Sequence, residues 1–331
     1  VLSRLEAVAN GLVVDRGTTP VPRITVRGLS TIRGPKDALI IVDNFPYEGD
    51  IDNINPNEVE HITILKDAAA ASIWGARAGN GVIVITTKKA KAEQPLTIAM
   101  NSSLTVGSRP DLSYIRQMSS SDFIDVEQYL YGEGHYDSWI NSTNRRALSN
   151  VVEIMKSNAP DAQQQIDLLR NIDVRDDFNR YFYQRSKNQQ YALSLSGGTA
   201  GAGWRASIGH DNNLSNLDAS YKRTTLRLHN TYRPIKNLQI SGEINYTHNG
   251  QKSGRLGYGS IIQGGGILPY AQFADQHGNP LPIAYGHSMS YLETAGDGKL
   301  LDWKYYPLED YKHSPVTGST HDLLINCLLY T

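Results

Sequence analysis

The chain has 331 residues, with 32 lysines and arginines against 33 aspartates and glutamates and a net charge of −1. That balance excludes the basic excess of a nucleic-acid binder, and the single cysteine, Cys327, excludes an internal disulfide framework or a CxxC site. No apolar run approaches the ~20 residues of a membrane helix and no secretory h-region is visible, so neither a helical span nor an export signal is expected in this text. The length allows two domains at ~150 residues each. Tyrosine outnumbers phenylalanine 19 to 5 and glycine reaches 29. That skew fits turn-rich β structure, either a soluble sandwich or a barrel with interfacial aromatic girdles.

The first 90 residues read as a small α+β domain. Arg23–Arg27 alternates and stops at Gly28; Ala38–Asp43 is a buried, β-branched run; Val59–Leu65 is a further strand. Asp67 offers an N-cap to an alanine-rich helix, Ala68–Trp74, which Gly75 ends. Asn80-Gly81 then turns the chain into Val82–Thr87, another apolar strand. The charged stretch Lys88–Pro95 reads as a linker.

Beyond Pro95 the period changes to two. Ile98–Val106, Tyr191–Ser196, Trp204–His210, Thr224–Tyr232 and Leu238–His248 each place apolar residues on one face and polar residues on the other, and His321–Tyr330 is a weaker sixth candidate. Thr199–Gly203 and Pro234–Asn237 are tight turns, Asp211–Ser220 is a longer loop, and the connections 107–187 and 250–319 are very long. Short turns on one side and long loops on the other is the asymmetry of outer-membrane barrels. Trp204 and Tyr232 fall near the short-turn ends and Tyr191 and Tyr246 toward the long-loop ends, all on apolar faces, where two girdles belong. Tyr221 falls on the polar face. Within 107–187 the text predicts helices at Phe123–Tyr131, Arg145–Met155 and Ala162–Arg170. The inward polar residues Arg205, Arg227, His229 and Glu243 are expected to meet water and the N-terminal domain.

Chemistry-bearing motifs are lacking in the text. The stretch from Gly28 to Gly34 has no GK[ST] ending, Gly264–Gly266 opens no helix, the nine histidines show no ligand spacing, and no GxSxG elbow occurs. No carboxylate pair is singled out for acid–base work. Asn101 and Asn245, two of the Asn-x-Ser/Thr matches, lie inside strands.

The runs Pro22–Gly28, Ala38–Asp43, Ile54–Pro56, Val59–Asp67, Ala71–Arg77 and Asn80–Lys88 together resemble the plug domain of SusC/RagA-type TonB-linked outer-membrane proteins. Tyr191–Gly198 and Tyr221–Leu228 are similar to that family's early wall strands, and Asp302–Leu308 to one of its outer-loop segments. The plug motif falls on Arg27, Gly28, Asp43, Lys66, Asp67, Gly75, Asn80 and Gly81. Asp43-Asn44 departs from the family's usual Asp-Gly, but asparagine tolerates the left-handed turn that glycine serves there. Trp74 stands where tyrosine is commoner.

The resemblance implies an α+β plug domain over 1–90. Over 91–331 it implies antiparallel transmembrane β-strands of an incomplete barrel, with outer loops at 107–187 and 250–319. It implies a TonB-dependent nutrient uptake receptor in the Gram-negative outer membrane that moves an oligosaccharide or peptide without covalent chemistry, cofactor or metal. The implied partners are a SusD-like surface lipoprotein, the TonB complex and membrane lipid; nucleic acid is not among them. Tyr270, Trp303, Tyr305 and Tyr306 are the loop aromatics suited to stack on substrate. Five or six strands cannot close a pore of some 22, so the chain is expected to be a fragment that does not transport alone. Two other classes stay open from the residues: a soluble or surface-attached β-rich glycan-binding module, and a glycan-acting enzyme.

Overall fold

A computed structural model describes residues 12–15, 23–26, 37–49, 51–66, 72–89, 91–263, 266–299 and 301–330. The N-terminal part contains a four-stranded sheet and a two-stranded hairpin. The hairpin pairs β1 (Leu12–Asp15) with β2 (Arg23–Val26). The sheet runs in the order β4 (Phe45–Pro46), β3 (Leu39–Val42), β6 (Val82–Thr87), β5 (Val59–Leu65), with β3 and β6 parallel. Being covered on both faces explains the continuous apolar text of β3 and β6. Ile83 and Ile85 pack against the hairpin with Ile51 and Ile54, while Ile41 and Val82 pack against Ala78 and Trp74.

β3 and β4 are joined by Asp43 and Asn44, with φ of 47° and 76°. Two consecutive left-handed residues make the tight hairpin turn that usually requires glycine, so the Asp-Asn departure leaves the turn intact. The expected helix Ala68–Trp74 lies largely outside the described residues, as do Arg27, Gly28 and Asp67. What is described, Ser72–Asn80, is a tight 3₁₀ run interrupted at Gly75, whose φ of 70° and ψ of −160° suit no residue with a side chain.

The C-terminal part is a single six-stranded antiparallel meander, in the order β7 (Thr97–Gly107), β8 (Ser186–Thr199), β9 (Ala202–Leu214), β10 (Ser220–Ile235), β11 (Leu238–Lys252), β12 (Thr317–Tyr330). β7 and β12 are its edges, so the sheet is open. The strands run longer than the amphipathic text suggested, and the expected loop Asp211–Ser220 shrinks to 215–219. The added residues, such as Asn212 and Asn213, are polar on both faces, so pairing continues where alternation gives no sign of it.

Both long connections fold into one body at the far end of the sheet. Phe178, Phe182 and Phe273 stack with centroids 4.7–5.1 Å apart, joined by Ile124, Val151, Ile166 and Ile283. Helices form at Ser120–Gly132, Asn150–Ser157 and Ala162–Leu169. The middle one starts five residues later than expected. Ser149 caps it by accepting from Val152 N, while Arg145 takes a left-handed φ of 50°.

Candidate functional site: the seam between plug and wall

The six-stranded wall has two unlike faces. Leu226, Leu228 and Tyr232 of β10 are exposed on one, whereas Arg223, Thr225, Arg227 and His229 are buried on the other. The buried face is buried because the N-terminal domain sits on it. Asn55 Nδ2 donates to Thr225 Oγ1 at 3.1 Å, and Tyr47 donates to Asp322 Oδ2 at 2.8 Å. Arg223 bridges the two parts. Its Nε donates to Asp211 at 2.8 Å within the wall, and its NH1 reaches the Ile54 carbonyl at 3.2 Å.

The centre of the seam is a buried ion cluster around Arg227, which is 4% exposed. Its Nε donates to Glu243 Oε1 at 2.7 Å, and its NH2 to Asp43 Oδ2 at 3.3 Å and to Thr87 Oγ1. Its NH1 donates to the Lys88 carbonyl at 3.3 Å and lies 3.5 Å from Glu58 Oε2. Arg205 Nε is also 3.5 Å from Glu58 Oε2, and Lys89 Nζ is 3.6 Å from Asp43 Oδ1. Three carboxylates therefore face three cations, two of the carboxylates coming from the plug and one from the wall. Such neutrality is what allows so many charges to be removed from water. Asp43 is fixed for this role by its own domain, accepting from Thr87 N at 3.1 Å.

Of the expected plug-motif residues that the structure describes, Asp43 alone enters this cluster. Lys66, Gly75, Asn80 and Gly81 sit at the opposite end of the plug sheet, where Leu65 pairs with Val82 and Val82 with Leu39. There Gly81, at φ 91°, turns the chain into β6, and Leu39 N donates to its carbonyl at 3.0 Å. Arg205, Arg227 and Glu243, read from the sequence as inward polar residues, are brought together. Glu58, Lys89, Asp211 and Arg223 were missed. Asp211 and Arg223 were findable, since they fall directly opposite each other once β9 and β10 are paired.

Above the seam, toward the loop body, the wall lines a cavity of about 690 Å³, with Asn188, Asn213, Tyr221, Gln251, Ser253 and Thr317 on its walls. Apolar surface from Leu214 and Val316 lies among its amides and hydroxyls, Lys252 also lines it, and it accounts for Tyr221 on the polar face. Among the loop aromatics, Trp303 is 51% exposed and Tyr305 and Tyr306 are half-buried, Tyr305 against Tyr285 with centroids 5.0 Å apart. Tyr270 corrects the expectation of an open contact. It is 1% exposed and donates to Glu127, so it belongs to the loop body's core. Burial holds the Tyr270 hydroxyl and the Glu127 carboxyl above their ordinary values, the latter against hydrogen bonds from Tyr270 and Ser149.

Residues 2–82 match the family model described as "TonB-dependent Receptor Plug Domain". The SusC TonB-dependent receptor of Bacteroides thetaiotaomicron is 35% identical over 108 residues, covering 30% of this chain and 11% of that protein. A TonB-dependent receptor of Formosa agariphila is 44% identical over 72 residues, covering 22% of this chain and 7% of that protein. Residues 2–82 are thus a TonB-dependent receptor plug domain, and the chain is similar to SusC/RagA-type TonB-dependent receptors. Its fold extends the likeness past the plug: a solved structure described as the RagAB peptide transporter superposes with a TM-score of 0.70 at 22% identity, over 96% of this chain and 36% of that one. The 'open-open' state of the RagAB peptide importer gives 0.68 at 21% identity, over 93% and 34%. The matches thus span about a tenth of the curated relatives and about a third of the solved chains.

Proposed function

We propose that this chain supplies the plug and six wall strands of an outer-membrane importer. The observation that carries the reading is the two-faced wall: one face is exposed and apolar, and the other is polar and occupied by a folded stopper. In water the exposed face would leave Met100, Ile208, Leu226, Ile325 and Leu329 solvated at 45–77% exposure, a contiguous apolar patch that a soluble glycan-binding module does not carry. In a bilayer it is the outer surface of a barrel. From Thr224 to Tyr232 the strand rises about 27 Å, or roughly 19–22 Å at the usual tilt, close to the apolar band of such barrels.

The transported solute is a polar oligomer, an oligosaccharide or a peptide. The cavity above the seam suits either, with the amides of Asn188, Asn213 and Gln251 offering hydrogen bonds between apolar patches, and Trp303, Tyr305 and Tyr306 in the loop body offer rings to stack on it. RagAB, the similar solved assembly, is a peptide importer, which supports the peptide arm. A SusD-like surface lipoprotein covers the loop body, and energy from the TonB complex loosens the seam. The step is translocation, without cofactor, metal or covalent chemistry.

The decisive experiment expresses the receptor carrying this chain in cells and follows labelled oligosaccharides and peptides. Uptake of one class that stops with a protonophore is the expected result. A chain that is monomeric and monodisperse in buffer free of detergent would overturn the reading.

A further inference from the structure

The exposed face of the wall is ordered in horizontal rows, because every strand pair from β8 to β12 keeps one register along its outer half. The uppermost row of the apolar band is Leu193, Ile208, Leu226, Tyr246 and Leu323. One step toward the loop body comes Tyr191, His210, Thr224, His248 and His321. These groups are tied sideways. His210 Nδ1 and Thr224 Oγ1 are 3.0 Å apart, Tyr246 and His321 Nδ1 are 2.9 Å apart, and the His248 and His321 rings stack at 4.3 Å. The next row holds Lys222, and the row above that holds Lys187 and Lys252.

Charge on the wall is therefore sorted by face. Asp211, Glu243 and Asp322 all point to the plug side, where they are paired. On the opposite face of β7–β12 the described residues include no Asp or Glu. Lys187, Lys222 and Lys252 are exposed there, Lys252 at the rim of the cavity above the seam, and none of them has an ion-pair partner among the described residues. The carboxylate in the turn above, Asp218, is already held by Gln184 at 3.0 Å and Arg255 at 4.0 Å. With strands about 4.8 Å apart and rows about 7 Å apart, Lys222 lies roughly 8 Å from Lys252 and 12 Å from Lys187 at Cα. Their side chains, each about 6 Å long, can converge on one anionic group of modest size.

We propose that this patch binds the phosphorylated headgroup of a glycolipid in the outer leaflet. The height argues for a lipid, since Lys222 stands two rows and Lys187 and Lys252 three rows above the last apolar row of β8–β12, where headgroups lie. The composition argues for phosphate: three unpaired ammonium groups collected on a face from which acids are excluded. The histidine and tyrosine row beneath supplies hydrogen-bonding groups at the acyl–headgroup boundary, as aromatic girdles do. The inference rests on the membrane reading above.

The test places the whole receptor in nanodiscs of neutral phosphatidylcholine and titrates bisphosphorylated lipid A, its monophosphorylated form and its fully dephosphorylated form. Affinity should fall in that order and weaken with salt. Each lysine near an anionic surface is worth about fivefold in affinity, so the triple variant K187Q/K222Q/K252Q should lose on the order of 100-fold. The variant K236Q, in the short turn at the other end of the wall, should lose nothing. Equal binding by the triple variant and the parent, or by the dephosphorylated lipid, would overturn the proposal. So would inorganic phosphate competing at the lipid's own concentration, which would mark a site for the free ion. A receptor that does not enter the nanodisc at all would overturn the membrane reading together with it.

Discussion

Replacing Arg227 by alanine removes the centre of the seam. The side chain reaches Glu243 at 2.7 Å, Asp43 at 3.3 Å and Glu58 at 3.5 Å. Without it the three carboxylates face only Arg205 and Lys89, and a cluster of zero net charge becomes one of −1. Arg227 is 4% exposed, so water does not screen the excess. Breaking a buried pair by deleting one partner costs about 3–5 kcal/mol. The plug should then open locally some 10²- to 10⁴-fold more often. Amide hydrogen exchange in the assembled receptor reads this at the end of β6, where Thr87 N donates to Asp43 Oδ1 and should lose protection, with the amides of β11 and β12 serving as internal reference. The double variant R227M/E243L removes one charge of each sign and leaves Arg205 and Lys89 against Asp43 and Glu58. It should recover most of the loss, because a balanced apolar replacement is often close to neutral. Unchanged β6 exchange in R227A would refute the assignment of the seam to this cluster. So would equal loss over the whole wall, or a double variant as impaired as the single.

Two further outcomes follow from the geometry. In G81A the new Cβ would sit 2.7 Å from Val26 Cβ at a φ of 91°, so overpacking and left-handed strain together should cost about 2–4 kcal/mol. The midpoint of plug unfolding should fall while the wall's heat resistance stays. Glu127 has a folded-state pKa raised by burial. The folded loop body therefore holds a proton that the unfolded chain releases, and its contribution to stability is complete below the unfolded carboxyl value near 4.5 and lost as pH rises through the folded value. Unfolding of the loop body, followed by denaturant between pH 4 and 8, should show this decline in the parent and a shallower one in E127Q. Some slope should remain, because burial raises Asp177 as well; identical profiles for parent and variant would dismiss the Glu127 account.

The wall could be read from the text only where two different solvents act on its two faces. Leu238–His248 alternates because one side is the exposed apolar face and the other meets the plug, and there the register needs no further information. Toward the loop body both faces are wet, and Lys187, Asn188, Asn212 and Asn213 extend β8 and β9 without any periodic signal. The plug strands were legible for the opposite reason, since β3 and β6 are apolar throughout and bounded by turn residues. Half of the seam was legible. Arg227 and Glu243 announce themselves as polar residues on the inner face, but their plug partners do not. Asp43 contacts Arg227 across 184 residues, and no local pattern carries so distant a pairing. Asp43 stood out as a plug-motif and turn residue, and its further role as a counter-ion depends on how the two parts dock. Tyr270 shows the same limit, since a loop tyrosine over a cavity and a loop tyrosine inside a core have the same text around them.

The chemistry of the seam bears on how such a stopper can yield without unfolding. Within the plug, Ile41, Val82, Ile83 and Ile85 are fully buried, and separating those surfaces would expose apolar area at about 25 cal/mol per Å². Across the seam the contacts are polar instead: Asn55 on Thr225, Tyr47 on Asp322, Asn101 on Asn57, and the ions around Arg227. Each such bond is replaced by a bond to water when the surfaces part, at a net cost of about 1 kcal/mol for neutral pairs. Within the cluster Glu58 is held loosely, for its Oε2 lies 3.5 Å from two guanidinium nitrogens without a hydrogen bond to either. Below it the linker is pinned to the first wall hairpin, Gly198 N to the Gln94 carbonyl at 2.8 Å and Glu93 N to the Thr199 carbonyl at 3.1 Å. A force on the plug therefore meets three resistances of different kind: an apolar core that holds, a linker that tethers, and a wettable seam that gives first.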